Sequence, residues 1–88
     1  MKIFWSQRAL KHIDGIGNFI ALDSPERAAI FVRKLLDSTE RLIKFSLSGS
    51  NVPSSPNLKQ IIVQGYRIIY RAKDQKIEIL SVLSPAQL

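Results

Sequence analysis

The chain has 88 residues, 45% hydrophobic and 23% charged, the balance of a single globular domain over residues 1–88 and not of a disordered segment. It holds no cysteine and one histidine, His12, which excludes disulfide scaffolds, thiolate sites, cysteine nucleophiles and histidine-rich metal cages; neither a metal nor a cofactor is expected. Thirteen Lys and Arg against seven Asp and Glu give +6, a charge that favours acidic partners, whether nucleic acid, an anionic surface or an acidic protein segment.

The surplus is uneven: residues 1–43 hold seven bases against five acids, and residues 44–88 hold six against two. No apolar run approaches the ~18–20 residues that cross a bilayer. Met1-Lys2-Ile3-Phe4-Trp5 also lacks the long apolar stretch of a signal peptide. The cytoplasm is the expected compartment, with no membrane partner.

In chain order, Lys2–Trp5 reads as a short strand rich in β-favouring residues. Ser6 is placed to cap a helix, on which Leu10, Ile13, Ile16 or Gly17, and Ile20 recur at helical spacing. Gly15 and Gly17 weaken that helix by up to about 1 kcal/mol each relative to alanine, or else admit a neighbouring helix closely. Asp23-Ser24-Pro25-Glu26 ends it near residue 22 and opens a second helix near residue 25, with Asp23 or Ser24 as the cap. The second helix carries Ala28, Val32, Leu35, Thr39 and Leu42 on one stripe, widened by Phe31, Leu36 and Ile43. So short a link makes the two an antiparallel hairpin.

Residues 44–57 contain five serines, two prolines, one glycine and two asparagines, and read as a loop. Leu58–Val63, Tyr66–Arg71 and Ile77–Leu83 read as strands, joined by turns at Gln64-Gly65 and at Lys73–Lys76. The predicted order is β-α-α-β-β-β: an α+β domain in which a helical hairpin covers one face of an antiparallel three-stranded meander.

Alternation along the middle strand puts Tyr66, Ile68 and Tyr70 on one face and Arg67, Ile69 and Arg71 on the other. With the helices over the tyrosine face, Arg67 and Arg71 emerge on the opposite side. Taken as about 7 Å apart, they are expected to clamp a phosphate or carboxylate, because each guanidinium offers planar bidentate donors. Lys59 of the preceding strand joins them if the register allows. These three are the candidate target- or phosphate-binding residues.

Several segments resemble one family. Trp5-Ser6-x-x-Ala9 is similar to its strand-to-helix junction, and Asp23-Ser24-Pro25-Glu26-x-Ala28 to the start of its second helix. Leu35-Leu36 through Leu42 fits the continuation of that helix, Gly49-x-x-Val52-Pro53 its loop, and Gly65-Tyr66-Arg67-Ile68-Ile69-Tyr70-Arg71 its most recognisable strand. On these the chain resembles toxins of type II toxin–antitoxin modules in the RelE/ParE superfamily, nearer the ParE (plasmid-stabilisation) branch.

RelE-type members cleave mRNA on the ribosome; ParE-type members share the fold but poison DNA gyrase. The resemblance therefore implies a toxin held by a cognate antitoxin and aimed at DNA gyrase. The alternatives are a RelE-like ribosome-dependent mRNA endoribonuclease, or a relative that binds antitoxin without being toxic. Nothing in the sequence demands a homodimer.

The arginine carried over from RelE-type enzymes is Arg67. The chain departs from the family at Leu58-Lys59-Gln60, where arginine followed by glutamate is more usual. It departs again at Gly49-Ser50, in place of Gly-Arg, and in the uncharged tail Leu83–Leu88. RNA cleavage by its own 2′-hydroxyl needs a base, a stabiliser of the phosphorane and an acid. Under that reading the catalytic candidates are Arg67, Lys59 and Tyr70. His12 reads as an ordinary surface residue of the first helix, across the sheet from the arginines. The full acid–base set is poorly supplied, and whether the chain is an enzyme stays open. The groove between hairpin and sheet suits an acidic antitoxin segment that folds on binding, and strand edges offer a second docking mode.

Overall fold

The structure is a computed structural model that describes residues 1–85. Its elements are β1 (Lys2–Trp5), α1 (Gln7–Ala21), α2 (Pro25–Glu40), a 3₁₀ turn (Arg41–Ile43), β2 (Ser50–Val52), β3 (Ser55–Val63), β4 (Tyr66–Lys73) and β5 (Lys76–Leu83). The predicted α+β order holds, with one addition. The segment expected to be loop contributes β2 and the first residues of β3, so the sheet has five strands in the order β1-β5-β4-β3-β2. Serine and asparagine composition marks turns, but backbone pairing against a strand already in place does not require β-favouring side chains. β2 is short and its pairing shifts register between Asn51 and Val52. Of the uncharged tail, Ala86, Gln87 and Leu88 lie outside the described residues.

The helix starts are set by hydroxyls. Ser6 Oγ accepts the Ala9 N–H at 3.0 Å and donates to the Leu80 carbonyl at 2.9 Å, so one side chain caps α1 and ties it to β5. Ser24, not Asp23, caps α2: its Oγ accepts the Arg27 N–H at 3.2 Å, and Asp23 makes only an exposed 3.5 Å contact with the Arg27 guanidinium.

β1 pairs parallel with β5; all other pairings are antiparallel. The β3–β4 and β4–β5 turns have two residues each, Gln64-Gly65 and Asp74-Gln75, all four at positive φ. That geometry matches the twist of the flanking strands.

The helices cover one sheet face. Ile68, Tyr70, Ile77, Ile79 and Val82 of the sheet form the core with Ala9, Ile13, Leu35 and Leu42 of the helical layer. Burying each of the larger side chains contributes about 1.5–3 kcal/mol. On α1 the contact is made by Ala9 and Ile13, whereas Leu10 turns outward and is 48% exposed. The Ser6 bonds hold the first turn against β5, and the small Ala9 is what lies there. Leu36 and Ile43 likewise turn outward.

His12 is half-buried rather than a free surface residue. β1 ends opposite Ile79, and past that point the β4–β5 register shifts, leaving Leu80 as an extra residue of β5. Among the described residues no strand continues the edge beyond the shift, and the Val82 N–H there is taken by His12 Nδ1 at 3.0 Å. Accepting that bond requires an unprotonated Nδ1, so in the neutral ring the proton sits on Nε2.

Candidate functional site on the open sheet face

Register decides which side chains share the uncovered face. Lys59 lies opposite Tyr70, Ile61 opposite Ile68 and Val63 opposite Tyr66, so all six belong to the helix side. Gln60 opposite Ile69 and Ile62 opposite Arg67 belong to the open side. Arg67 and Arg71 do emerge there, as alternation predicts. Lys59 does not join them, because pairing partners point to one face and its partner is the buried Tyr70. Its ammonium instead donates to Asn51 Oδ1 at 3.0 Å.

The paired clamp also needs correction. Arg67 and Arg71 are four residues apart with Ile69 between them, which is about 13 Å along a strand, twice the separation expected. Each has its own partner. Arg67 Nε donates to Gln60 Oε1 at 2.9 Å, which orients the guanidinium and leaves its two terminal nitrogens without a partner among the described residues. Arg71 Nη2 donates to both Glu78 oxygens at 3.1 Å, directly across the β4–β5 ladder, while its buried Nε has no partner among the described residues. Arg71 is thus largely neutralised, and Arg67 is the arginine left to meet an external anion.

Gln60 and Glu78 were not foreseen as site residues. The signal for Glu78 was present: a turn centred on Asp74-Gln75, whether of two residues or of the four residues Lys73–Lys76, makes Arg71 and Glu78 partners.

Tyr70 is fully buried. Its hydroxyl donates to the Ser46 carbonyl at 2.9 Å and accepts the Gly49 N–H at 3.1 Å, anchoring the segment before β2. Burial raises its pKa above the ordinary 10.0, with the Gly49 bond opposing the shift. The phenol is therefore a neutral anchor. The three catalytic candidates are not brought together: Arg67 faces out, and Lys59 and Tyr70 belong to the other side. Among the described residues Glu78 is the one carboxylate that alternation puts on the open face, and it is bound to Arg71. The face can bind and orient an anion or a carboxylate, and among the described residues it brings no acid–base pair to Arg67.

Two grooves border the helices, the first at the β3 edge, where side chains of both sheet faces line it. One, about 590 Å³, runs between α2, the 3₁₀ turn and β3, lined by Ser38, Arg41, Phe45, Gln60 and Ile62 among others. Along it the outer edge of β3 at residues 61–63 has no strand neighbour among the described residues, since β2 pairs only with Ser55, Lys59 and Gln60. The other, about 620 Å³, sits at the tip of the hairpin among Phe19, Leu22, Ile30 and Phe31, with Arg27 and Lys34 at its rim. No helix among the described residues is long and apolar enough to cross a membrane.

The chain is thus an α+β domain whose sheet is covered on one face by a helical hairpin and carries a guanidinium on the other. The sequence model for the ParE toxin of the type II toxin–antitoxin system parDE matches residues 3–88. A curated relative from Sinorhizobium fredii, Y4kP, described as a candidate toxin, is 32% identical over 98% of this chain and 90% of its own length. A solved structure from the chromosomal ParDE toxin–antitoxin system of P. aeruginosa superposes with a TM-score of 0.81 over 96% of this chain and 95% of that one; at 22% identity the likeness is one of fold. The chain belongs to the ParE toxin family of type II toxin–antitoxin systems.

Proposed function

We propose that this ParE-type toxin is held inactive in the cytoplasm by a cognate antitoxin and, when released, poisons DNA gyrase by binding rather than by cutting nucleic acid. The observation that carries this reading is the separation of Arg67 from Lys59 and Tyr70. A nuclease would need proton-transfer groups beside the cation that stabilises the phosphorane, whereas a contact poison needs only an oriented guanidinium on a rigid sheet. For the antitoxin, the groove beside the unpaired β3 edge offers Arg41 and exposed Phe45 and Ile62 to an acidic, partly apolar segment.

The test is a supercoiling assay with purified gyrase and the full chain, scored for inhibition and for trapped cleavage complexes. Inhibition that is relieved by the antitoxin is expected. Arg67→Ala should weaken inhibition about tenfold or more while antitoxin affinity holds within about twofold, because Arg67 is not itself among the residues that line the groove.

The ribonuclease reading rests on Arg67 facing outward, as the RelE resemblance requires. Primer-extension mapping on translating ribosomes would support it if discrete mRNA cuts appear with gyrase unaffected. Intact antitoxin binding with neither activity and no growth arrest would instead mark a non-toxic relative.

A further inference from the structure

The β1–β5 and β5–β4 registers place three lysines in one row. Lys2 lies opposite Lys76, and Lys76 opposite Lys73, on three adjacent strands. Alternation from Phe4, Glu78 and Arg71 puts the whole row on the open face, and all three lysines are exposed. With strands about 4.8 Å apart, the row spans roughly 10 Å. None of the three ammonium groups makes an ion pair or hydrogen bond among the described residues.

Like charges directly opposite each other destabilise a sheet, so the row works against folding. Edge protection accounts for Lys2, which is on an edge strand, but not for Lys73 and Lys76 on inner ones. The adjacent row reads Phe4–Glu78–Arg71. Its acid is bound to Arg71 and so does not answer the lysines. Phe4 is 47% exposed on the same face, and Lys76 Nζ stands 5.8 Å from its ring centroid.

The geometry points to a seat for single-stranded nucleic acid, with phosphates on Lys2, Lys76 and Lys73 and one unpaired base stacked on Phe4. Lysines are compact charges suited to a sequence-independent phosphate track. An exposed aromatic ring beside such a track is what a free base uses, and what an acidic peptide or an intact duplex would leave idle. The seat is independent of the target proposed above, since it uses neither Arg67 nor the antitoxin groove.

The test is fluorescence anisotropy of the full chain with a labelled oligothymidylate of about 12 nucleotides over a salt series. Three phosphate contacts predict a slope of log K against log salt of about −2. Replacing Lys2, Lys73 and Lys76 together by Gln should remove most of that slope. The same number of charges removed from the helix side, at Arg8, Lys11 and Arg33, should leave it. Phe4→Ala should keep the slope and weaken binding roughly 5- to 150-fold.

All six substitutions besides Phe4, the three lysines and the three controls, fall on exposed residues outside the core, and circular dichroism of every variant verifies folding. The inference is overturned if the two triple variants lose slope equally, if Phe4→Ala binds as the parent does, or if polyglutamate or a duplex of the same length binds more tightly than the single strand.

Discussion

Tyr70 and Gly49 are in contact twice over: the phenol oxygen accepts the Gly49 N–H at 3.1 Å, and a β-carbon at Gly49 would sit 2.6 Å from that same oxygen. The glycine is there because the chain passes against a buried hydroxyl and against the Gln60 carbonyl, 2.8 Å from the same point. Both sides of the contact can be tested. Tyr70→Phe strands the Ser46 carbonyl and the Gly49 N–H, and should cost about 1–3 kcal/mol. Gly49→Ala should cost about 1–3 kcal/mol by overpacking. Combined, the two should cost less than their sum, since removing the hydroxyl relieves part of the clash. Urea denaturation measures all three, and unchanged midpoints would refute the anchor.

The same phenol sets an alkaline limit. Burial raises the native Tyr70 pKa above the 10.0 of an exposed tyrosine. Between those two values the unfolded chain has released a proton that the native state retains. The stabilisation is therefore complete below about pH 10 and declines as pH rises through the native value. Urea midpoints taken from about pH 9 upward should fall, and Tyr70→Phe should flatten that fall.

A second glycine behaves oppositely. Gly15 lies inside α1, and a β-carbon there would meet nothing within 4 Å. Gly15→Ala should raise stability by about 1 kcal/mol, as helix propensity alone predicts, and shift the thermal midpoint upward. A loss of stability would show a close neighbour that the structure lacks.

His12 closes the sheet edge where β1 stops. His12→Ala leaves the Val82 N–H unpaired and should cost about 1–3 kcal/mol. His12→Asn can present Oδ1 where Nδ1 stood and should recover much of it. Amide exchange at Val82 is the local readout: fast in the alanine variant, slowed again in the asparagine variant, and slow in both if another group takes the bond.

Most of the element order was legible because each element writes its own period: two for Tyr66–Arg71, about 3.6 for the stripe from Ala28 to Leu42, with Ser6, Ser24 and Pro25 marking the helix starts. Register was partly legible as well. A two-residue turn at Gln64-Gly65 makes Lys59 the partner of Tyr70, which already assigns Lys59 to the helix side. The pairing of β2 was not legible, since its residues are those of a loop and only the waiting edge of β3 makes a strand of them. Nor was the role of His12, which depends on where a different strand ends.

What local order could settle, then, was the sheet-and-hairpin architecture and the outward aim of Arg67, because alternation and capping act over a few neighbouring residues. Only the assembled fold decided that Arg71 is bound to Glu78, that Tyr70 anchors a distant loop, and that Lys2 stands in line with Lys73 and Lys76. Those relations join residues from 7 to more than 70 positions apart, and strand pairing and packing, not local preference, bring such residues together.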